Sequence, residues 1–282
     1  MNSPAEPPAL RAEDFRKISR LAHEQFGLNL SDGKQGLVAA RLGKKIREGG
    51  FGGFDDYYRH VISDKTGEAL IALIDSLTTN HTSFFRESAH FGFLAAAATE
   101  EFRESPSLRI WSAACSSGEE PYSIAMTLLE AAERVRCRWA ADVGILASDI
   151  STRVLAKARR AIYEAGRLEG ISESRRRAYL LKGTGEHSGY FKLKPAVTGF
   201  VDFERINLIE PLPRRSFPFI FCRNVMMYFD KPTQQGIVSR LAECLEPGGY
   251  FFVGHSETLN GIDHPLTYVR PAVYLKRGRR RA

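Results

Sequence analysis

Apolar positions recur at helical spacing through the first 78 or so residues. "AEDFRKISRLAHEQFG" sets Phe15, Ile18, Leu21 and Phe26 near one helical face. "QGLVAARLGKKIREGG" follows and stops at Gly-Gly, with Arg41, Lys44, Lys45 and Arg47 on its more polar face. "FDDYYRHVIS" and "GEALIALIDSL" complete a small helical unit without a strand-like run. After Arg103 the pattern changes. "SLRIWSAA", "VGILASDI", "FPFIFCRN" and "GGYFFVGHS" are short apolar runs ending in small or polar residues, with helical stretches between several of them. Strands alternating with helices predict a mostly parallel sheet covered on both faces. "GTGEHSGYFKLKPAVTGFVDF", residues 183–203, interrupts that rhythm with Gly-rich turns and short alternating pieces, and reads as antiparallel hairpins inserted into the α/β domain. Between the helical part and the α/β part lies "NHTSFFRE", Asn80 to Glu87, too polar for core and too aromatic for a simple linker.

Composition changes this picture little. A chain of 282 residues can bury a sizeable core. The net charge of +7 suggests an acidic partner, but Lys276, Arg277, Arg279, Arg280 and Arg281 of the tail supply five of the positive charges. A solvated, frayed end explains that tail better than a nucleic-acid arm. Cys115, Cys137, Cys222 and Cys244 have no C-x-x-C spacing and no accompanying His cluster, so no metal site is expected and a reducing, cytoplasmic setting is. "MNSPAEPPAL" reads as a disordered lead-in of about ten residues rather than a signal peptide. No apolar run reaches the ~20 residues that span a bilayer, so no membrane insertion is expected.

The chemistry should stand beyond the carboxyl ends of the strands, where open α/β sheets bind ligands. After the first strand, "SAACSSGEEPYS" offers small residues and Gly118 for close approach of a ligand to the backbone. Glu119 and Glu120 open the next helix. They would repel a pyrophosphate but suit a cation such as an amino group; charge compensation at a helix start is the simpler alternative. "ASDIS" ends the second strand at Asp149, which can accept both ribose hydroxyls of a nucleoside or merely cap the following helix. Together the two loops describe a pocket for a nucleoside with an amino group and no pyrophosphate, a description that S-adenosylmethionine fits. Asn207 in "ERINLIE" suits an adenine or linker contact, and "CRNVMMYFD" offers Arg223, Asn224 and Tyr228. That last loop lacks the proline with which nucleic-acid amino methylases grip a base. His255 in "GHSETL" is expected to support the pocket structurally.

"LTTNHTSFFRE", "IWSAACSSGEEPYSIA", "ASDIS", "FIFCRNVMMYFDK" and "PGGYFFVGHSE" resemble, in order, the signatures of the CheR-type chemoreceptor glutamate methyltransferases, over residues from about 10 to 276. The resemblance implies an α/β, Rossmann-like S-adenosylmethionine-dependent methyltransferase domain with a small antiparallel β-insertion, preceded by a small all-α N-terminal domain. The corresponding divisions are 1–78 for the helical domain, 79–103 for a linker and junction helix, 104–282 for the methyltransferase domain and about 183–203 for the insertion. Matching the motifs assigns Asn80, Thr82, Arg86, Glu120, Asp149, Asn207, Leu208, Arg223 and Asn224 to the cofactor, and Phe84 and Phe85 to packing. Cys115 departs from an otherwise small-residue loop without an evident effect on activity. The implied product pair is a glutamate γ-methyl ester and S-adenosylhomocysteine, in adaptation during bacterial chemotaxis.

The implied substrates are the cytoplasmic helices of methyl-accepting chemotaxis receptors, reached by a cytoplasmic monomer recruited to receptor arrays. A receptor C-terminal peptide on the β-insertion is a further partner found in some members. Acidic receptor helices would dock on Arg41, Lys44, Lys45 and Arg47. The acceptor carboxylate has a pKa of about 4.3 and is ionised at neutral pH, so no general base is required. Arg86 and Tyr228 are the positioning residues of the reaction; Arg86 has two roles open, on the cofactor's carboxylate or on the incoming glutamate. Tyr228 could instead be a core aromatic beside Met226, Met227 and Phe229. Two other classes compete: a non-catalytic member that only binds cofactor or receptor, which methyl transfer would exclude, and a nucleic-acid methyltransferase, supported by net charge alone.

Overall fold

The computed structural model describes residues 9–278. The start of the chain through Pro8 and the tail residues Arg279, Arg280 and Arg281 lie outside the described residues, so the readings of a disordered lead-in and a solvated tail find no test there. The chain divides into two units. One runs through Asn80 and includes Tyr228–Thr233; the other holds His81–Met227 and the chain from Gln234 onward.

In the first unit, α1 (Ala12–Phe26) buries Phe15, Ile18, Ala22 and Phe26, spaced three and four apart as one helical stripe requires. Leu21 falls beside that stripe and is only half-buried. Gly27, with φ of 71°, closes the helix in the left-handed conformation that glycine adopts without strain. α2 (Gln35–Glu48) buries Val38, Leu42 and Ile46, four apart, and is followed by α3 (Phe54–Ser63) and α4 (Glu68–Leu77). Tyr228–Thr233 joins this unit through the Asn29 amide, which donates to the Tyr228 carbonyl at 2.7 Å, and through a bridge between Leu28 and Phe229. A boundary read in chain order therefore misses this returning segment.

The second unit begins with the junction itself. Phe84, Phe85 and Phe91 belong to the same buried cluster as the sheet, so the stretch expected as a linker and junction helix, 79–103, is part of this unit from His81 onward. α5 (Ala89–Glu100) leads to β1 (Leu108–Ala113), α6 (Glu119–Arg134), β2 (Val143–Asp149) and α7 (Thr152–Arg160). Next come β3 (Ile162–Glu164), α8 (Glu173–Tyr179), β4 (Leu180–Lys182), β5 (Tyr190–Leu193), α9 (Pro195–Thr198) and β6 (Val201–Arg205). β7 (Phe217–Cys222), α10 (Lys231–Cys244), β8 (Leu245–Phe252), β9 (Leu266–Arg270) and β10 (Val273–Lys276) complete the fold.

Among the described residues the main sheet has seven strands in the order β6-β2-β1-β7-β8-β10-β9. The first five are parallel, and β10 runs antiparallel to both β8 and β9. β7 is buried along its whole length, which is why "FPFIFC" is an unbroken apolar run. The chain winds outward from β1 through β2 to β6, then returns to β7 on the other side of β1. That reversal opens a crevice at the carboxyl ends of β1 and β7.

The insertion differs from its expected limits. Its sheet is β3-β5-β4, antiparallel throughout, and so begins near Ile162 rather than at 183. "VDFER" is not part of it: as β6 it pairs in parallel with β2 at the edge of the main sheet. "VDFER" alternates apolar and polar residues as a hairpin strand does, and an edge strand can carry the same alternation.

Candidate active site

Asp149 is the last residue of β2 and is 8% exposed. The Ser116 amide donates to its Oδ2 at 2.9 Å and the Ser151 amide to its Oδ1 at 2.9 Å. The helix cap itself comes from Ser151, whose Oγ accepts the Val154 amide, so Asp149 is not the side chain that caps α7. Its carboxylate is fixed in place by two loops before any ligand arrives.

Across the crevice a buried chain of charges links three segments. Arg223, 5% exposed, donates from Nη1 to Glu120 Oε2 at 3.0 Å and from Nη2 to Glu87 Oε2 at 2.8 Å. Nη2 also reaches the Arg86 carbonyl at 2.6 Å, and Ser112 donates to Glu120 Oε1 at 2.7 Å. Burial alone would raise the Glu87 carboxyl; Arg223 more than reverses this and holds it at about 2. For Glu120 burial prevails over the charge of Arg223 and the Ser112 hydrogen bond, and its pKa is raised. Two carboxylates share one guanidinium, so the site favours an incoming positive charge beside Glu120. His90, beside this chain, is pushed down to about 4 by burial and by the charge of Arg223.

Asn224 follows Arg223 with φ of 58°, and its Nδ2 donates to Glu87 Oε1 at 3.3 Å. Phe85, Glu87, Ala114 and Ser116 also hold positive φ. Such backbone costs about 1–3 kcal/mol per residue and persists where the surroundings dictate it, commonly at functional sites. Glu257 is what dictates it for Asn224: its carboxylate accepts the amides of Asn224, Met226 and Gly254 at 2.7 to 2.8 Å.

The first loop corrects an expectation. Gly118 does not open the backbone to a ligand. An added Cβ there would meet the Ala158 Cβ at 2.9 Å and the Tyr163 hydroxyl at 3.1 Å, so this glycine, with φ of 95°, serves packing against α7 and the insertion. Glu119 is fully buried and paired with Arg167, leaving Glu120 as the crevice carboxylate of the two. Cys115 is buried and its thiol pushed well up by that burial, which keeps it neutral.

Thr82 and Arg86 lie in the same unit. The Thr82 carbonyl accepts from Arg167 at 3.4 Å, and Arg86 donates from Nη1 to the His81 carbonyl at 3.1 Å. Phe84 and Phe85 are buried as packing residues, with the Phe85 amide donating to Ser123 Oγ at 2.9 Å. Asn207 and Leu208 follow β6; the Asn207 Nδ2 donates to Glu210 at 2.9 Å, and the Leu208 carbonyl accepts Arg240. His255 is exposed, its ring against that of His90.

Asn80 and Tyr228 belong to the helical unit. The Tyr228 hydroxyl donates to the Thr79 carbonyl at 3.1 Å and accepts the Thr79 amide at 3.3 Å. On α2 the basic set divides. Arg41 bonds the Leu77 carbonyl and Thr79 Oγ1, and Lys45 the Ala72 carbonyl, so both tie α2 to α4. Lys44 and Arg47 remain exposed. Arg167, Glu87 and Glu257 are the site-building residues to which the sequence reading gave no role.

Two family models match the chain in succession: "CheR methyltransferase, all-alpha domain" over residues 13–78 and "CheR methyltransferase, SAM binding domain" over residues 80–274. The chain is 41% identical over 268 residues to the chemotaxis protein methyltransferase of Escherichia coli K12, covering 94% of this chain and 91% of that one. It is 39% identical to the Salmonella typhimurium protein over the same shares, and 39% to chemotaxis protein methyltransferase 2 of Pseudomonas aeruginosa, covering 93% and 92%. With both domains matched in order and such identity across nearly its full length, this chain belongs to the CheR methyltransferase family.

Proposed function

We propose that the protein transfers a methyl group from S-adenosylmethionine to glutamate side chains of methyl-accepting chemotaxis receptors, forming γ-methyl esters. The observation that carries this reading is the buried Glu120–Arg223–Glu87 chain together with a pre-oriented Asp149 at the end of β2, in a chain so similar to chemotaxis methyltransferases. The residues fit the cofactor: a fixed acidic side chain at the end of β2 suits a ribose diol, and the unbalanced carboxylates suit an ammonium group.

When bound, S-adenosylmethionine supplies an electrophilic methyl on a sulfonium. Asp149 takes the ribose hydroxyls and Glu120 the amino group, with Thr82, Arg86, Asn207, Leu208, Arg223 and Asn224 completing the contacts. Asn80 and Tyr228 are assigned to the same reaction by the family motifs. No residue needs to remove a proton, because the acceptor arrives as a carboxylate. The protein's work is orientation, for which about 7–11 kcal/mol is attainable, and exclusion of water, which otherwise stabilises the separated charges. Lys44 and Arg47 form the docking surface for acidic receptor helices, and the exposed row Ile162, Lys192 and Leu181 of the insertion receives a receptor C-terminal peptide.

Labelled S-adenosylmethionine, incubated with the protein and membranes bearing candidate receptors, should yield label on receptor glutamates that mild alkali releases as methanol. Asp149→Ala should abolish it. Label that is stable to alkali, or unchanged transfer by the folded variant, would overturn the reading.

A further inference from the structure

Two histidines beside the crevice have no part in the reaction above. His90 on α5 is 2% exposed, yet neither of its ring nitrogens meets a hydrogen-bond partner. A buried polar side chain left this way calls for an explanation, an ion among the usual ones. Its surroundings suggest which. Glu87 Oε2 lies 3.6 Å from His90 Nδ1, and the His255 ring stands nearly perpendicular to that of His90 with centroids 4.8 Å apart. One ligand atom from each of Glu87, His90 and His255 lies within 4.8 Å of the others.

We propose that Glu87, His90 and His255 form a binding site for a transition-metal dication, Zn2+ foremost. Two imidazoles and one carboxylate are an established zinc donor set, and metal–ligand bonds of about 2.0–2.2 Å place tetrahedral donors roughly 3.4 Å apart. The Glu87–His90 separation already matches that bite. His255 is exposed on the loop after β8, so a change of its side-chain rotamer closes the set. The outer shell is in place as well: the Glu87 carboxylate accepts from Arg223 and Asn224, as ligating carboxylates commonly do. Arg223 and Arg270 bring positive charge toward His90, and Glu87 brings negative charge. Imidazole ligands disfavour Mg2+ and Ca2+, which prefer oxygen. Occupancy draws Glu87 toward the histidines and away from Arg223, so metal and cofactor oppose each other. That consequence rests on the proposed cofactor reading; the site itself does not.

The untagged protein is titrated with Co2+, followed by visible absorption, and with Zn2+ by calorimetry. One Zn2+ should bind at micromolar concentration or tighter and displace the Co2+ bands. His255→Ala, at an exposed position, should weaken binding at least tenfold, whereas His187→Ala, an exposed histidine of the insertion, should not. Absence of a one-to-one site, or equal affinity in the His255→Ala protein, overturns the proposal. His90→Ala is read only with its thermal melt beside it. Zn2+ should also raise the KM for S-adenosylmethionine several-fold in the wild type and not in His255→Ala. An unmoved KM with intact Zn2+ binding leaves the site standing and removes its opposition to the cofactor.

Discussion

The carboxylate of Glu257 accepts three main-chain amides, and through them sets the path of the chain that carries Arg223 and Asn224. Gly254 packs closely against this arrangement, since an added Cβ would run into the Asn224 side chain. In Glu257→Gln one oxygen becomes an N–H donor facing an amide donor. Hydrogen bonds to a charged group contribute about 1.5–3 kcal/mol, so the variant should bind S-adenosylmethionine ~10-fold more weakly or worse and melt several degrees lower. Calorimetry and a thermal melt check this; unchanged affinity would confine Glu257 to a minor role. Asp149, Arg223 and Asn224 were legible in the sequence because each stands where a strand ends, a position that periodicity locates. Glu87 and Glu257 were not, although "NHTSFFRE" and "GHSETL" were both singled out. Glu87 pairs with Arg223 and Asn224, and Glu257 with Asn224 and Met226, all distant in the chain, and no local pattern announces those pairings.

The insertion is tied by its root to the loop after β1 and to the junction segment. The Tyr163 hydroxyl donates to the Ser117 carbonyl at 2.8 Å, and Arg167 reaches Glu119 and the Thr82 carbonyl. Gly170 lies so close to the Phe84 carbonyl that a Cβ would stand 1.9 Å from the oxygen. The presence of an antiparallel insertion was readable from its Gly-rich turns, but its first strand was not. "IYE" is three residues long, too short for a periodic signal, and the alternation of the edge strand β6 drew the boundary too late. Arg167→Ala leaves Glu119 as a buried carboxylate without its cation. Breaking such a pair costs about 3–5 kcal/mol, and the half-exposed arginine puts this case near the lower end. The variant should lose several degrees of melting temperature and much of its cofactor affinity. Adding Glu119→Gln removes the stranded charge and should restore part of both. A double variant no better than Arg167→Ala would show that the ion pair is not what holds the root.

At the scale of the whole molecule, the two-part division was legible because helical periodicity gives way to strand–helix alternation. The return of Tyr228–Thr233 to the helical unit was not, since that contact joins residues separated in the chain by β1 to β7. Charge shows the same limit. The run on α2 looks like one basic face, yet the structure turns Arg41 and Lys45 inward to carbonyls of α4 and leaves Lys44 and Arg47 outward. The two pairs should therefore respond differently to substitution. Arg41→Ala removes the donor that satisfies a carbonyl at the C-terminal end of α4, so it should lower the stability of the helical unit by ~1 kcal/mol or more. Lys44→Glu with Arg47→Glu should leave the melt and the cofactor affinity unchanged. It should raise the KM for receptor several-fold at low salt, because complementary charge governs encounter with an acidic helix. The difference should shrink as salt rises and the Debye length falls toward about 8 Å at physiological ionic strength. If the charge-reversed protein methylates receptor with unchanged kinetics at low salt, α2 is not the docking surface.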